Sequence, residues 1–144
     1  MIILDTDLLT LIQRRAGPDY ERLVERLDDS NDKDVRVTII SFEEQMRGWL
    51  AWIVKARTTA KLIDAYSRLG AMVADFKTRP IVDFDRLAYA EYVQLLRSKL
   101  RIGTMDLRIA AVSLANDALL LSRNLSDFSR VPGLRVQDWT KLPR

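Results

Sequence analysis

Histidine and cysteine are both absent from the 144 residues. Without histidine there is no Ser-His-Asp triad, no imidazole general base and no His-ligated zinc or iron. Without cysteine there is no disulfide, no zinc thiolate site and no thiol nucleophile. Any hydrolytic chemistry must therefore come from carboxylates, hydroxyls, lysine or a metal held by oxygen. No apolar run approaches the roughly 20 residues of a membrane span. The N-terminus has no basic stretch ahead of a long apolar segment, so a signal peptide is not expected. Together these absences are compatible with the cytosol, and a cytoplasmic protein with no membrane association is the expectation.

What is present fits one compact domain over residues 1–144, with 48% apolar residues, enough for a sizeable core. Charge is spread unevenly. Residues 1–34 hold nine acids and five bases, and residues 35–144 hold eleven acids and eighteen bases. A basic body suits a polyanionic partner, although ordinary surfaces are often basic too.

Ile2-Ile3-Leu4 reads as a strand buried on both faces, and it stops abruptly at Asp5. Short helices are expected over 8–15 and 19–27, separated by Gly17-Pro18. The β-branched run Val35–Ile40 reads as a second strand. Ser41 follows as N-cap with Glu44 at N3, a capping-box pattern. A helical hairpin over about 43–77 carries Trp49 and Trp52, which cannot easily both face one core. A short strand over 79–84 leads to a helix over 85–100. After the Gly103 loop, Asp106 opens an apolar helix over 107–115. Ala118–Leu121 reads as another buried strand, Leu125–Phe128 as a short helical piece and Leu134–Val136 as a last strand. Strands alternating with helices imply a parallel sheet covered on both faces.

In such sheets, sites lie beyond the carboxyl ends of the strands. Asp5, Glu44, Asp106 and Asn124, with Asp127 nearby, all fall at strand or helix ends and are far apart in sequence. Each has an ordinary local explanation as a cap or turn residue. Collectively, several carboxylates in one crevice would repel and raise one another's pKa, which a divalent cation relieves. Oxygen-only ligands point to Mg²⁺ or Mn²⁺ rather than zinc. Such an ion can support phosphodiester cleavage, and the basic body would attract a nucleic-acid backbone.

The motifs resemble the PIN-domain ribonucleases, and most closely the VapC-type toxins of toxin–antitoxin pairs. Ile3-Leu4-Asp5-Thr6-Asp7 is similar to that family's opening strand and first acid. Ser41-Phe42-Glu43-Glu44, with Gly48 four residues on, is similar to its second motif and makes Glu44 the motif acid. Ile102-Gly103-Thr104-Met105-Asp106 is the most specific piece. Leu121-Ser122-Arg123-Asn124, Asp127-Phe128 and Val131-Pro132-Gly133-Leu134 resemble the closing motif. The resemblance implies an α/β fold, a three-layer α/β/α sandwich with a twisted, mainly parallel central sheet. It implies a Mg²⁺- or Mn²⁺-dependent endoribonuclease acting on tRNA or rRNA, a homodimer, and a small VapB-like antitoxin that docks in part on the hairpin. Asp5, Glu44 and Asp106 would hold the metal and Asn124 would complete the catalytic set. Thr6, Asp7, Ser122 and Asp127 would orient them. Arg14, Arg15, Arg101, Arg108 and Arg123 are candidate RNA contacts. Asn124 stands where many members carry Asp, which keeps a non-catalytic RNA- or protein-binding module as the alternative. A phosphoacceptor receiver domain fits poorly, because Asp83 and Lys141 are ill placed for its acceptor and lysine.

Overall fold

A computed structural model of the chain describes residues 1–143. Five strands, β1 (Ile2–Leu4), β2 (Val35–Thr38), β3 (Ile81–Val82), β4 (Leu119–Leu121) and β5 (Arg135–Gln137), form one sheet in the order β3-β2-β1-β4-β5. Every pairing is parallel. The helices are α1 (Thr6–Arg14), α2 (Pro18–Asp29), α3 (Ile39–Lys55), α4 (Thr59–Phe76), α5 (Arg86–Arg97), α6 (Thr104–Ala115) and α7 (Leu125–Phe128).

β1 is central, and its three side chains are at most 2% exposed. The side-chain period of two sends them to opposite faces of the sheet. Ile3 packs with Leu120 and the α5–α6 side, including Ala88, Leu95, Ile109 and Val112. Ile2 and Leu4 pack with Leu8, Leu9 and Leu23 of α1 and α2 and with Met72 and Phe76 of α4. This double coverage makes the strand continuously apolar rather than alternating. Truncating such a residue to Ala typically costs 2–5 kcal/mol, that is about a third of a domain's whole stability.

Register is what positions the site. Leu4 lies opposite Val37 on one side and Leu121 on the other. Strands β1, β2 and β4 therefore end level, and the residues that follow them meet at one edge.

Two expected caps fall elsewhere. The side chain of Thr38 accepts the Ser41 N–H at 3.2 Å and caps α3, so Ile39 and Ile40 are helical and no capping box forms. From this first helical turn Ile40 packs into the α5–α6 core. Likewise α6 begins at Thr104 after Gly103, so Asp106 is its third residue and not its cap. Trp49 packs on the core, while Trp52, its neighbour one turn along α3, is 56% exposed.

Candidate metal-dependent active site

Asp5 leaves β1 into the crevice and is only 6% exposed. Its Oδ1 accepts the Thr6 N–H at 2.8 Å, and its Oδ2 accepts the Ser122 hydroxyl at 2.8 Å. A capping side chain normally reaches the second or third helical N–H. Asp5 reaches only the first, so half of its hydrogen bonding serves the neighbouring strand β4 instead. Ser122 in turn accepts the Asn124 N–H at 2.9 Å, which fixes the turn after β4.

Glu44 lies on α3, and its Oε1 accepts the Thr6 hydroxyl at 2.7 Å. Thr6 Oγ1 also sits 2.9 Å from Ser41 Oγ. With the Thr6 proton committed to an ionised Glu44, Ser41 must be the donor, giving a relay Ser41→Thr6→Glu44. Glu43, the neighbouring acid, pairs instead with Arg47 at 2.7 Å on the exposed face. Asp106 faces Asn124, whose amide donates to Asp106 Oδ2 at 3.4 Å and to Asp127 Oδ2 at 3.1 Å.

Electrostatics tie the three acids together. Burial pushes the Asp5 carboxyl up to about 6; the Ser122 and Thr6 hydrogen bonds oppose the rise, and the charges of Asp106 and Glu44 add to it. Glu44 is also raised, first by burial and then by Asp106 and Glu43, against its bond from Thr6. Asp106 is raised by burial and by Asp127, against Asn124. Asp127 moves the other way, held low by Asn124 and Arg130. Burial combined with repulsion from neighbouring carboxylates is the condition a cation relieves. The donors are all oxygen, the chemistry of Mg²⁺ or Mn²⁺. As the side chains stand, no three acids among the described residues close on a common point. Each is turned to its own hydrogen-bond donor.

The remaining candidates divide. Arg123 gives Asp7 two hydrogen bonds, at 2.7 and 2.6 Å, and reaches Asp19 at 3.0 Å. Asp7 is thereby held by Arg123, and Arg123 is engaged within the chain. Arg14, Arg15 and Arg101 are exposed. Arg108 lies 5.4 Å over the Tyr92 ring and lines a cavity with Glu44, Arg47 and Asp106. Sequence reasoning did not reach the Ser41 relay or the Arg123–Asp7–Asp19 clamp. Both join residues at least 35 positions apart, with no local signal.

No protein-family model matches the sequence. The chain is 27% identical to the ribonuclease VapC2 of Rickettsia felis over 139 residues, 96% of this chain and 98% of that protein. The VapBC2 complex of Rickettsia felis bound to promoter DNA contains a chain that superposes with a TM-score of 0.70 at 24% identity, covering 96% of this chain and 99% of that one. VapBC-1 from nontypeable Haemophilus influenzae contains one with a TM-score of 0.73 at 22% identity, covering 98% and 100%. The chain is similar to the VapC ribonucleases in sequence and shares the fold of these VapBC chains. The five-stranded parallel sheet flanked by helices is the VapC fold. In this chain, Asp5, Glu44 and Asp106 share the sheet edge at which β1, β2 and β4 end.

Proposed function

We propose that this protein is a VapC-type, divalent-metal-dependent endoribonuclease, acting as one domain and as the toxin of a toxin–antitoxin pair. The observation that carries the reading is the crevice itself: three acids from separate elements, each with its carboxyl pushed up by burial and by another acid. The full-length likeness to a ribonuclease VapC2 supports the same chemistry.

Asp5, Glu44 and Asp106 are the residues that would hold Mg²⁺ or Mn²⁺. When bound, such an ion supplies an acidified water and offsets the charge that develops on a cleaved phosphate. The chain's own contribution is positioning. Ser122 holds Asp5 and the Ser41–Thr6 relay holds Glu44. The Asn124 amide spans Asp106 and Asp127 as a neutral bridge, so one acid fewer crowds the crevice. Arg14, Arg15, Arg101 and Arg108 supply positive charge for the backbone of a structured RNA such as tRNA or rRNA. Several structural relatives were solved as VapBC complexes, which supports a VapB-like antitoxin as partner. Exposed Leu50, Val54, Ile63 and Tyr66 on the hairpin suit its docking, and exposed Leu87 and Leu96 on α5 suit a homodimer.

The test is RNA-end mapping on tRNA and rRNA with Mn²⁺, Mg²⁺ or chelator. Asp106→Asn should lower cleavage by more than the roughly 10–100-fold that loss of an outer-shell partner costs, with the fold intact. The neutral Asn124 favours one second reading, a non-catalytic binding module. It wins if Mn²⁺ neither raises the melting temperature nor supports cleavage.

A further inference from the structure

Beside the acid cluster, a cleft of about 590 Å³ runs between α1 and the α3–α4 hairpin, and Thr6 and Glu44 belong to its wall. Its two sides differ in chemistry. The hairpin side is aromatic: Trp49 and Trp52 stand edge to face, with ring centroids 5.7 Å apart and planes at 67°. Trp49 is spent on packing, and the Arg68 guanidinium covers it at 5.6 Å. Trp52 is 56% exposed and does little for the core. The α1 side is cationic. Arg14 and Arg15 line the cleft, and neither forms an ion pair among the described residues. Between the two sides lies a hydrogen-bonded set of side chains. Gln13 and Gln45 exchange hydrogen bonds at 3.1 and 2.8 Å, and Gln13 also donates to Asp75 at 2.8 Å.

We propose that this cleft is a subsite for an unpaired nucleobase of the RNA strand whose scissile phosphate lies at the acid cluster. Trp52 is its stacking platform, and Arg14 and Arg15 bind the adjoining phosphates. The inference rests on the ribonuclease reading and narrows its substrate to a single-stranded segment. An open aromatic face beside unpaired guanidinium groups is how proteins hold single strands, because every base has a π-face and every linkage a charge. A base stacked inside a duplex cannot enter such a cleft without being extruded. A protein segment suits the neighbouring surface better: Leu50, Val54 and Ile63 are exposed on the same hairpin, yet none of them lines the cleft.

Binding is measured in chelator, where no cleavage interferes, by anisotropy of a labelled single-stranded oligoribonucleotide of mixed sequence and of the same strand in a duplex. The single strand should bind about tenfold more tightly than the duplex. Trp52→Ala should weaken single-strand binding about tenfold, and Trp52→Phe should restore most of it. The melting temperature should not move, since Trp52 is exposed. With Mn²⁺, Trp52→Ala should raise KM more than it lowers kcat. The subsite is overturned if the wild type cleaves RNA while Trp52→Ala binds and cleaves like it. It is equally overturned if Trp52→Ala releases a bound protein and leaves RNA binding untouched. If the wild type cleaves nothing but Trp52→Ala still loses single-strand binding, the nuclease reading fails and the subsite stands.

Discussion

Replacing Asp5 with asparagine should stabilise the metal-free protein at neutral pH while abolishing its response to metal. A cap and a metal ligand differ in sign here, so the experiment separates them. The Asp5 carboxyl titrates at about 6 in the fold against 3.8 in an unfolded chain. Between those values the folded protein holds more protons than the unfolded one, so stability falls as pH rises from about 4 to about 6. Above that window the penalty is constant, about 3 kcal/mol at roughly 1.36 kcal/mol per tenfold change in proton affinity. Asparagine removes the charge and keeps the Thr6 N–H bond. Its amide would face Ser122 Oγ, which already accepts from Asn124, so the serine proton loses its acceptor at a cost of about 1 kcal/mol. The net expectation for Asp5→Asn in chelator at pH 7.5 is a gain of about 2 kcal/mol, or about 6 °C in Tm. Near pH 4 the wild-type acid is neutral, only the disturbed hydrogen bond is left, and the variant should be about 1 kcal/mol less stable. Thermal and denaturant melts of both proteins across pH 4–8 measure this difference, and titrations common to both cancel. Added Mn²⁺ should then stabilise the wild type at pH 7.5 and leave the variant unmoved. A variant destabilised at pH 7.5 as much as at pH 4 would refute the reasoning and make Asp5 a structural cap.

Two further outcomes follow from local geometry. Arg123→Ala should cost no more than about 1 kcal/mol, because its ion pairs with Asp7 and Asp19 are partly exposed. Its RNA affinity should stay near wild type in filter binding while that of Arg14→Ala falls, which tests whether Arg123 is engaged within the chain rather than with RNA. Thr38→Ala should cost 0.5–2 kcal/mol, as loss of a helix cap does, and leave stabilisation by Mn²⁺ unchanged. Ser41→Ala keeps that cap but breaks the relay to Glu44, so it should weaken the Mn²⁺ response; calorimetry of both variants checks the contrast.

Much of the fold was legible because burial writes itself into composition. Ile2-Ile3-Leu4 and Leu119-Leu120-Leu121 are continuous apolar runs only because both sheet faces are covered. Helix ends were less legible. Ser41 followed by Glu44 matches a capping box, yet Thr38 takes the role, and Ile40 in the first turn of α3 is buried. Local pattern offers several acceptable caps, and tertiary packing selects one.

Residue chemistry alone limited any metal to oxygen ligands and denied the protein imidazole and thiol catalysis, since a side chain that is absent cannot act. The order of apolar runs also carried the strand–helix alternation, while the preference for Glu44 over Glu43 came from the motif resemblance. What only the tertiary structure decided is how each acid is held: Asp5 by Ser122, Glu44 by Thr6, and Asp7 by Arg123. Those partners lie 117, 38 and 116 positions away. Hydrogen bonds at such separation depend on the strand register that brings Leu4, Val37 and Leu121 level, and register is a property of the assembled sheet rather than of any one segment.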